Sequence, residues 1–166
     1  LVDIAENYIR SNIHWRVEFT GELQRTEIPE IPIDAIREAL LNSFCHKDYA
    51  SGQSNEVAIY KDRVEIYNPG AFPEGYNPQD FIDKAERPIR RNPRIARILY
   101  YSKDIESFGT GLKRIADACD TAGVRYEFKK LKSGFVVCFY RMPDSSISEE
   151  KAEKSTGKVR EKYGKS

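Results

Sequence analysis

No run of apolar residues in the 166-residue chain approaches the roughly 18 that a membrane span needs, which argues against a transmembrane helix and for a cytoplasmic protein. No signal peptide is visible. No Gly-x-x-x-x-Gly-Lys-Ser/Thr run occurs, so a P-loop is excluded, and a helicase motor with it. Cysteine is scarce and odd in number. Cys45, Cys119 and Cys138 sit among apolar residues without C-x-x-C spacing, and the two histidines are far apart in sequence. That pattern gives no support for a zinc site and reads as buried, reduced thiols. Net charge is nearly absent too: 27 basic against 26 acidic residues leave +1. A chain-wide footprint for nucleic acid is therefore missing, although a local basic patch stays open. There is no internal repeat.

What remains is an ordinary globular composition, 40% hydrophobic and 32% charged, long enough for one domain with a real core. The chain opens inside a helical pattern (Ile4, Tyr8, Ile9), as a fragment of a longer protein would. Residues 1–14 read as a short helix or connecting arm, and Trp15–Leu23 alternates weakly as a strand. Ile28–Pro32, with two prolines, reads as a loop. Ile33–His46 is a strong helix: Ile33, Ile36, Leu40 and Phe44 form one apolar stripe, and Asp34 suits the first turn. Glu56–Tyr67 reads as a hairpin turning at Lys61-Asp62 and stopping at Asn68-Pro69-Gly70.

A long loop, Ala71 to Asn92, follows, with one helical turn over Pro78–Lys84; loops this long are often functional lids. Pro93–Tyr101 is a helix with Ile95, Ile98 and Leu99 inward. A further helix opens at Gly109-Thr110-Gly111 and ends at Gly123. Arg125–Leu131 and Phe135–Tyr140 make a second hairpin. From Asp144 apolar residues nearly vanish while Ser, Glu and Lys dominate, so the tail cannot bury enough surface to fold alone. The expected division is an arm with a leading strand (1–27), a domain (28–143) and a flexible linker (144–166). Helices grouped with hairpins indicate an α+β sandwich.

Four groups of residues could carry chemistry. Glu38 and Asn42 stand at i and i+4 on one helix face, about 160° from Leu40 by helical geometry. A carboxylate can take a proton from water, and an amide oxygen can ligate Mg²⁺. His46 and Asp48 follow at the helix end. The plainer reading is a solvated helix face with an Asn–Glu hydrogen bond. Asn68 and Gly70 follow a strand, where an amide can read a base edge; a simple turn is the plainer reading. Gly109, Thr110 and Gly111 precede a helix, whose free N–H groups bind anions; a flexible connection is the alternative. Arg87, Arg90, Arg91, Arg94 and Arg97 form a basic cluster that could grip phosphates of a nucleotide or of nucleic acid, or simply be solvated.

The order of these signals resembles the N box, G1 box, lid and G2 box of GHKL ATPases, the superfamily of sensor histidine kinases, DNA gyrase and MutL. Three runs, IPIDAIREALLNSFCHKDY (31–49), VEIYNPGAFPEG (64–75) and RNPRIARILYYSKDIESFGTGLKRI (91–115), are similar to the C-terminal domain of RecG-related, Schlafen-linked transcriptional regulators. The resemblance covers roughly residues 28–140. It implies a two-layer α/β sandwich, a mixed sheet with helices on one face. It implies ATP or ADP with Mg²⁺ as cofactors, Glu38 as general base and Asn42 as metal ligand. His46 would line the same cleft, Asn68 and Gly70 would read adenine, and Gly109, Thr110 and Gly111 would lie near the phosphates. The sequence departs from the pattern at Asn68, where an aspartate is usual, and at Phe72, where a second glycine is usual.

A weak ATPase is the most activity this implies. The alternative is a degenerate module for dimerisation or ligand sensing. A third reading, a hydrolase built on Glu38, His46 and Asp48, needs no nucleotide. The expected partners are nucleotide, a second copy of the chain, and DNA through regions outside these residues. This stretch itself is expected to bind DNA weakly or not at all, and no membrane.

Overall fold

The computed structural model describes residues 1–19, 25–84, 86–101 and 110–142, with side chains except those of Tyr100 and Tyr101. The expected linker beyond residue 143 and Gly109 lie outside the described residues.

Eleven elements and a 3₁₀ turn follow in chain order. They are α1 (Val2–Asn12), β1 (Trp15–Phe19), β2 (Arg25–Pro29), α2 (Ile33–His46), the 3₁₀ turn Tyr49–Ser51, β3 (Glu56–Ile59), β4 (Arg63–Pro69), α3 (Pro78–Asp83), α4 (Pro93–Tyr101), α5 (Gly111–Ala122), β5 (Tyr126–Lys130) and β6 (Gly134–Tyr140). Most bounds agree with the sequence periodicities. Helix α5 ends at Gly123, in a left-handed conformation (φ 67°) whose N–H bonds back to Asp120 and Cys119, as the C-terminal glycine predicts.

The main sheet has the order β3-β4-β6-β5, and β1 pairs β2 separately. Every described pairing is antiparallel, where a mixed sheet was expected. On β4 the alternation is plain. Val64, Ile66 and Asn68 are buried on the core face, while Arg63, Glu65 and Tyr67 point the other way. The core joins Ile9 of α1 and Ile13 just after it, Ile36 and Leu40 of α2, Ile115 and Cys119 of α5, and Val137 and Phe139 of β6. The helices thus lie on one face of the sheet, giving a two-layer α+β sandwich. The back face carries ion pairs instead, with Glu65 bonded by Arg63 at 2.8 Å and by Lys129 at 3.5 Å.

Three expectations are corrected. The segment read as a loop at Ile28–Pro32 begins within β2, which pairs Arg25–Pro29 with Phe19–Trp15. Pro29 is tolerated because it sits at the strand's end, where a missing donor costs little. Ile98 is 66% exposed rather than inward; Ala96 takes the buried place on α4, against Leu41 and Cys45. Strand β4 does not stop before Asn68 but carries Asn68 and Pro69, paired with Phe135 and Gly134.

Candidate functional site

Helix α2 is buried almost all round, because α1, α4, α5 and the sheet all pack against it. The turn carrying Glu38 and Asn42 is therefore not a solvated face. Glu38 is 7% exposed and Asn42 is half-buried. The N-terminus of α5 presses on this pair. A Cβ added at Gly111 would stand 2.4 Å from Asn42 Nδ2 and 2.7 Å from Glu38 Oε1, so glycine is what permits the approach. Glu38 is held from two sides: Asn42 Nδ2 donates to Oε1 at 3.5 Å, and Arg114 Nη1 lies 3.4 Å from Oε2. Arg114 was not singled out in the sequence. It stands three residues after Gly111, one turn into α5, and no spacing within that helix marks its partner on α2.

Beside the pair opens a cleft of about 420 Å³, within the usual range for small-molecule sites. Its base is Glu38, Ala39, Asn42 and His46 of α2. One wall is the end of the sheet, with Asn68, Phe135 and Val137; Gly111 and Leu112 of α5 close a second side. The loop 71–92 supplies the rest, through Phe72, Phe81 and the run Pro88 to Asn92. Phe72 stacks on Phe135 with centroids 5.0 Å apart and meets Phe81 edge-on at 5.8 Å. The cleft is thus apolar and aromatic at one end and polar at the other.

Asn68 is the anomaly on the core face of β4, a position where alternation calls for an apolar residue. It is 4% exposed, and its one side-chain hydrogen bond among the described residues runs from Nδ2 to the Pro69 carbonyl at a long 3.4 Å. A buried amide this poorly satisfied retains hydrogen-bonding capacity for something in the cleft. Gly70 follows with φ 116°, and a Cβ there would stand 3.0 Å from the His46 carbonyl oxygen and 3.1 Å from the Arg91 guanidinium. Arg91 donates to the Ala71 carbonyl at 2.7 Å. Asn92 donates to the carbonyls of Cys45 and Lys47 at 2.9 and 2.7 Å, capping α2 with a side chain from the loop.

His46 lines the cleft with its pKa below the ordinary 6.5, first because it is buried and then because Arg91 is near. It is a neutral imidazole at pH 7. Burial pushes the Cys45 thiol up to about 11 and the Cys119 thiol up to about 12, so neither is a nucleophile at neutral pH. All three cysteines are free and buried.

Glu38, Asn42, His46, Asn68, Gly70 and Gly111 therefore share one cleft, with Arg90 and Arg91 at its edge. Thr110 is exposed and stands at the N-cap of α5. Asp48 turns away, its carboxylate accepting from the Ala50 N–H at 3.0 Å, so the Glu38–His46–Asp48 grouping is not assembled. No cluster of three or more His, Cys, Asp or Glu side chains exists among the described residues. No described helix is long and apolar enough to cross a membrane.

A family model described as "Putative ATP-dependent DNA helicase recG C-terminal" matches residues 52–139, a span that includes Asn68, Gly70 and Gly111 but begins after Glu38 and Asn42. Among solved structures, the crystal structure of the DIP2311 protein from Corynebacterium diphtheriae is similar, with a TM-score of 0.72 and 22% identity. The likeness covers 86% of this chain but 29% of that one, so the chain spans under a third of that protein's length. No curated protein matches the chain.

Proposed function

The chain belongs to the RecG C-terminal family of ATP-dependent DNA helicase-related domains, and from that premise we propose that its cleft binds ATP or ADP with Mg²⁺. The observation that carries this reading is convergence. Three segments far apart in sequence, around Glu38–Asn42, Asn68–Gly70 and Gly111, line one cleft of suitable volume.

Each has a role that its chemistry fits. Asn68 offers an amide to the base edge, and Phe72 and Phe135 give the ring an apolar surface. The N-terminus of α5, with Thr110 as its N-cap, directs free N–H groups toward phosphate. Asn42 Oδ1 is the hard oxygen donor that suits Mg²⁺. The metal commonly takes one or two protein oxygens, with phosphate and water completing its octahedron, so no all-protein cage is needed. When bound, Mg²⁺ would neutralise phosphate charge. Glu38 is the group that would accept a proton from an attacking water, and neutral His46 can accept or donate a hydrogen bond beside it.

Turnover is expected to be weak. Both oxygens of Glu38 are already engaged, by Asn42 and by Arg114. That observation favours a second reading, a non-catalytic module that senses nucleotide without hydrolysing it. The test is a melting curve with and without millimolar Mg-ATP or Mg-ADP. A ligand that binds only the folded state raises the melting temperature. Asn42→Ala should abolish the Mg²⁺-dependent part of the rise. Glu38→Ala should keep binding and remove any hydrolysis. No rise with either nucleotide would sink the proposal.

A further inference from the structure

The charge balance of the whole chain conceals a local separation. Between Glu86 and Leu99 stand five arginines and one acid, a net +4, while the chain totals +1; the remainder therefore carries −3. Elsewhere most of the described arginines are matched, and Arg125 lies over the Tyr140 ring at 3.7 Å. Arg10, Arg16, Arg25, Arg37, Arg63, Arg114 and Arg141 each have a carboxylate within 4.0 Å. Arg87, Arg94 and Arg97 are exposed, and among the described residues none has a carboxylate at that distance.

Arg94, Arg97 and Ile98 fall at i, i+3 and i+4, so they share one face of α4, with the two arginines about 4.5 Å apart along the axis. Ile98 faces outward on this same surface, which the described residues leave open, beside two guanidinium groups that have no carboxylate within 4.0 Å among those residues. Arg91 is excluded from the group, because it turns inward to Ala71 at the cleft.

We propose that Arg87, Arg94 and Arg97 form a docking face for the phosphodiester backbone of duplex nucleic acid, gripped without reading bases. The five basic residues of the segment are all arginine, with no lysine among them. The guanidinium fork matches phosphate oxygens two at a time, which an ammonium does not. The proposal stands apart from the nucleotide cleft and does not need it to be filled. It also fits an overall charge near zero, since three contacts give weak binding that salt removes.

The test is fluorescence anisotropy of chain 1–166 with a labelled 20-base-pair DNA duplex at 50–200 mM KCl. Three phosphate contacts give a log–log salt slope of about −2.7, a loss of about 40-fold across that range. The Arg94→Gln/Arg97→Gln variant should bring the slope to about −0.9 and weaken binding at 50 mM at least tenfold. Arg87→Gln, in a loop outside any helix, should lower the slope by about 0.9 even if the double variant melts early. Arg16→Gln/Arg25→Gln makes the same charge change on the β1–β2 hairpin and should stay within twofold of the unmutated chain.

Two duplexes of unrelated sequence should bind alike. A wild-type slope near zero, or a hairpin variant as weak as the helix variant, would overturn the proposal. So would a tenfold preference for one sequence. Displacement of the duplex by polyglutamate at equal charge would assign the face to an acidic protein instead. The nucleotide-induced melting shift should be unchanged in every arginine variant, which separates this proposal from the cleft.

Discussion

Replacing Gly111 by alanine tests the cleft at the point where two helices meet most tightly. The added methyl would arrive 2.4 Å from Asn42 Nδ2, 2.7 Å from Glu38 Oε1 and 2.8 Å from Asn42 Oδ1. To regain an ordinary 3.4 Å, these atoms must withdraw by about 1.0, 0.7 and 0.6 Å (3.4 less each distance). All three are ends of side chains, so the backbone can stay. Alanine favours helix over glycine by about 1 kcal/mol, and crowding costs about 1–3 kcal/mol. The net effect on folding is a loss of at most about 2 kcal/mol, or up to about 8 °C in melting temperature for a chain of this length.

The effect on ligand is larger in proportion, because the displaced atoms belong to Asn42, the proposed Mg²⁺ ligand, and Glu38, the proposed general base. With Mg-ATP at a hundred times its dissociation constant, the unmutated chain gains about 2.7 kcal/mol. A tenfold loss of affinity reduces that to about 1.4 kcal/mol at the same concentration, roughly halving the shift. Differential scanning calorimetry with and without Mg-ATP reads both quantities. Gly123→Ala is the control: its left-handed φ of 67° costs about 1 kcal/mol, but it lies far along α5 and should keep the full ligand shift. A folded Gly111→Ala protein with an undiminished nucleotide shift would refute the assignment of Glu38 and Asn42 to the ligand.

Further outcomes follow from other groups. His46 has its pKa lowered in the folded chain, so the unfolded chain binds the proton more readily. Stability from this group is complete above pH 6.5 and declines as pH falls below it; urea titrations between pH 5 and 8 should show the decline, and His46→Gln should flatten it. Asn92→Ala leaves the Cys45 and Lys47 carbonyls without their cap and should cost about 2 kcal/mol, seen as a lower urea midpoint with an unchanged slope.

Much of the fold is legible in the sequence because its elements announce themselves by period. Helix α2 has its stripe, β3 and β4 alternate around a polar turn, and Gly123 marks an end. What failed concerned neighbours rather than elements. Periodicity says that α4 has an apolar face but not that Ala96, rather than Ile98, meets Leu41 and Cys45. A helical wheel puts Glu38 opposite Leu40, yet only the packing of α5 shows that this side is also covered. Pro29 hid β2, since a proline lowers the case for a strand everywhere except at its end. The candidate residues of the cleft were readable one by one. Arg114 was not, because nothing in its own surroundings tells that its partner lies on another helix.

The register of β4 against β6 has a consequence for how the molecule is made. The paired residues are 65 to 77 positions apart in sequence, Pro69 with Gly134 and Arg63 with Tyr140. At about 5–20 residues per second, a ribosome needs roughly 4–15 seconds after finishing β4 to deliver its neighbour. Throughout that interval one edge of β4 lacks its partner, and Val64, Ile66 and Asn68 have only the elements already made to cover them. The cleft is therefore among the last parts of the domain to form during synthesis. Strand-edge exposure, and a chaperone's opportunity to act, are concentrated in the same few seconds.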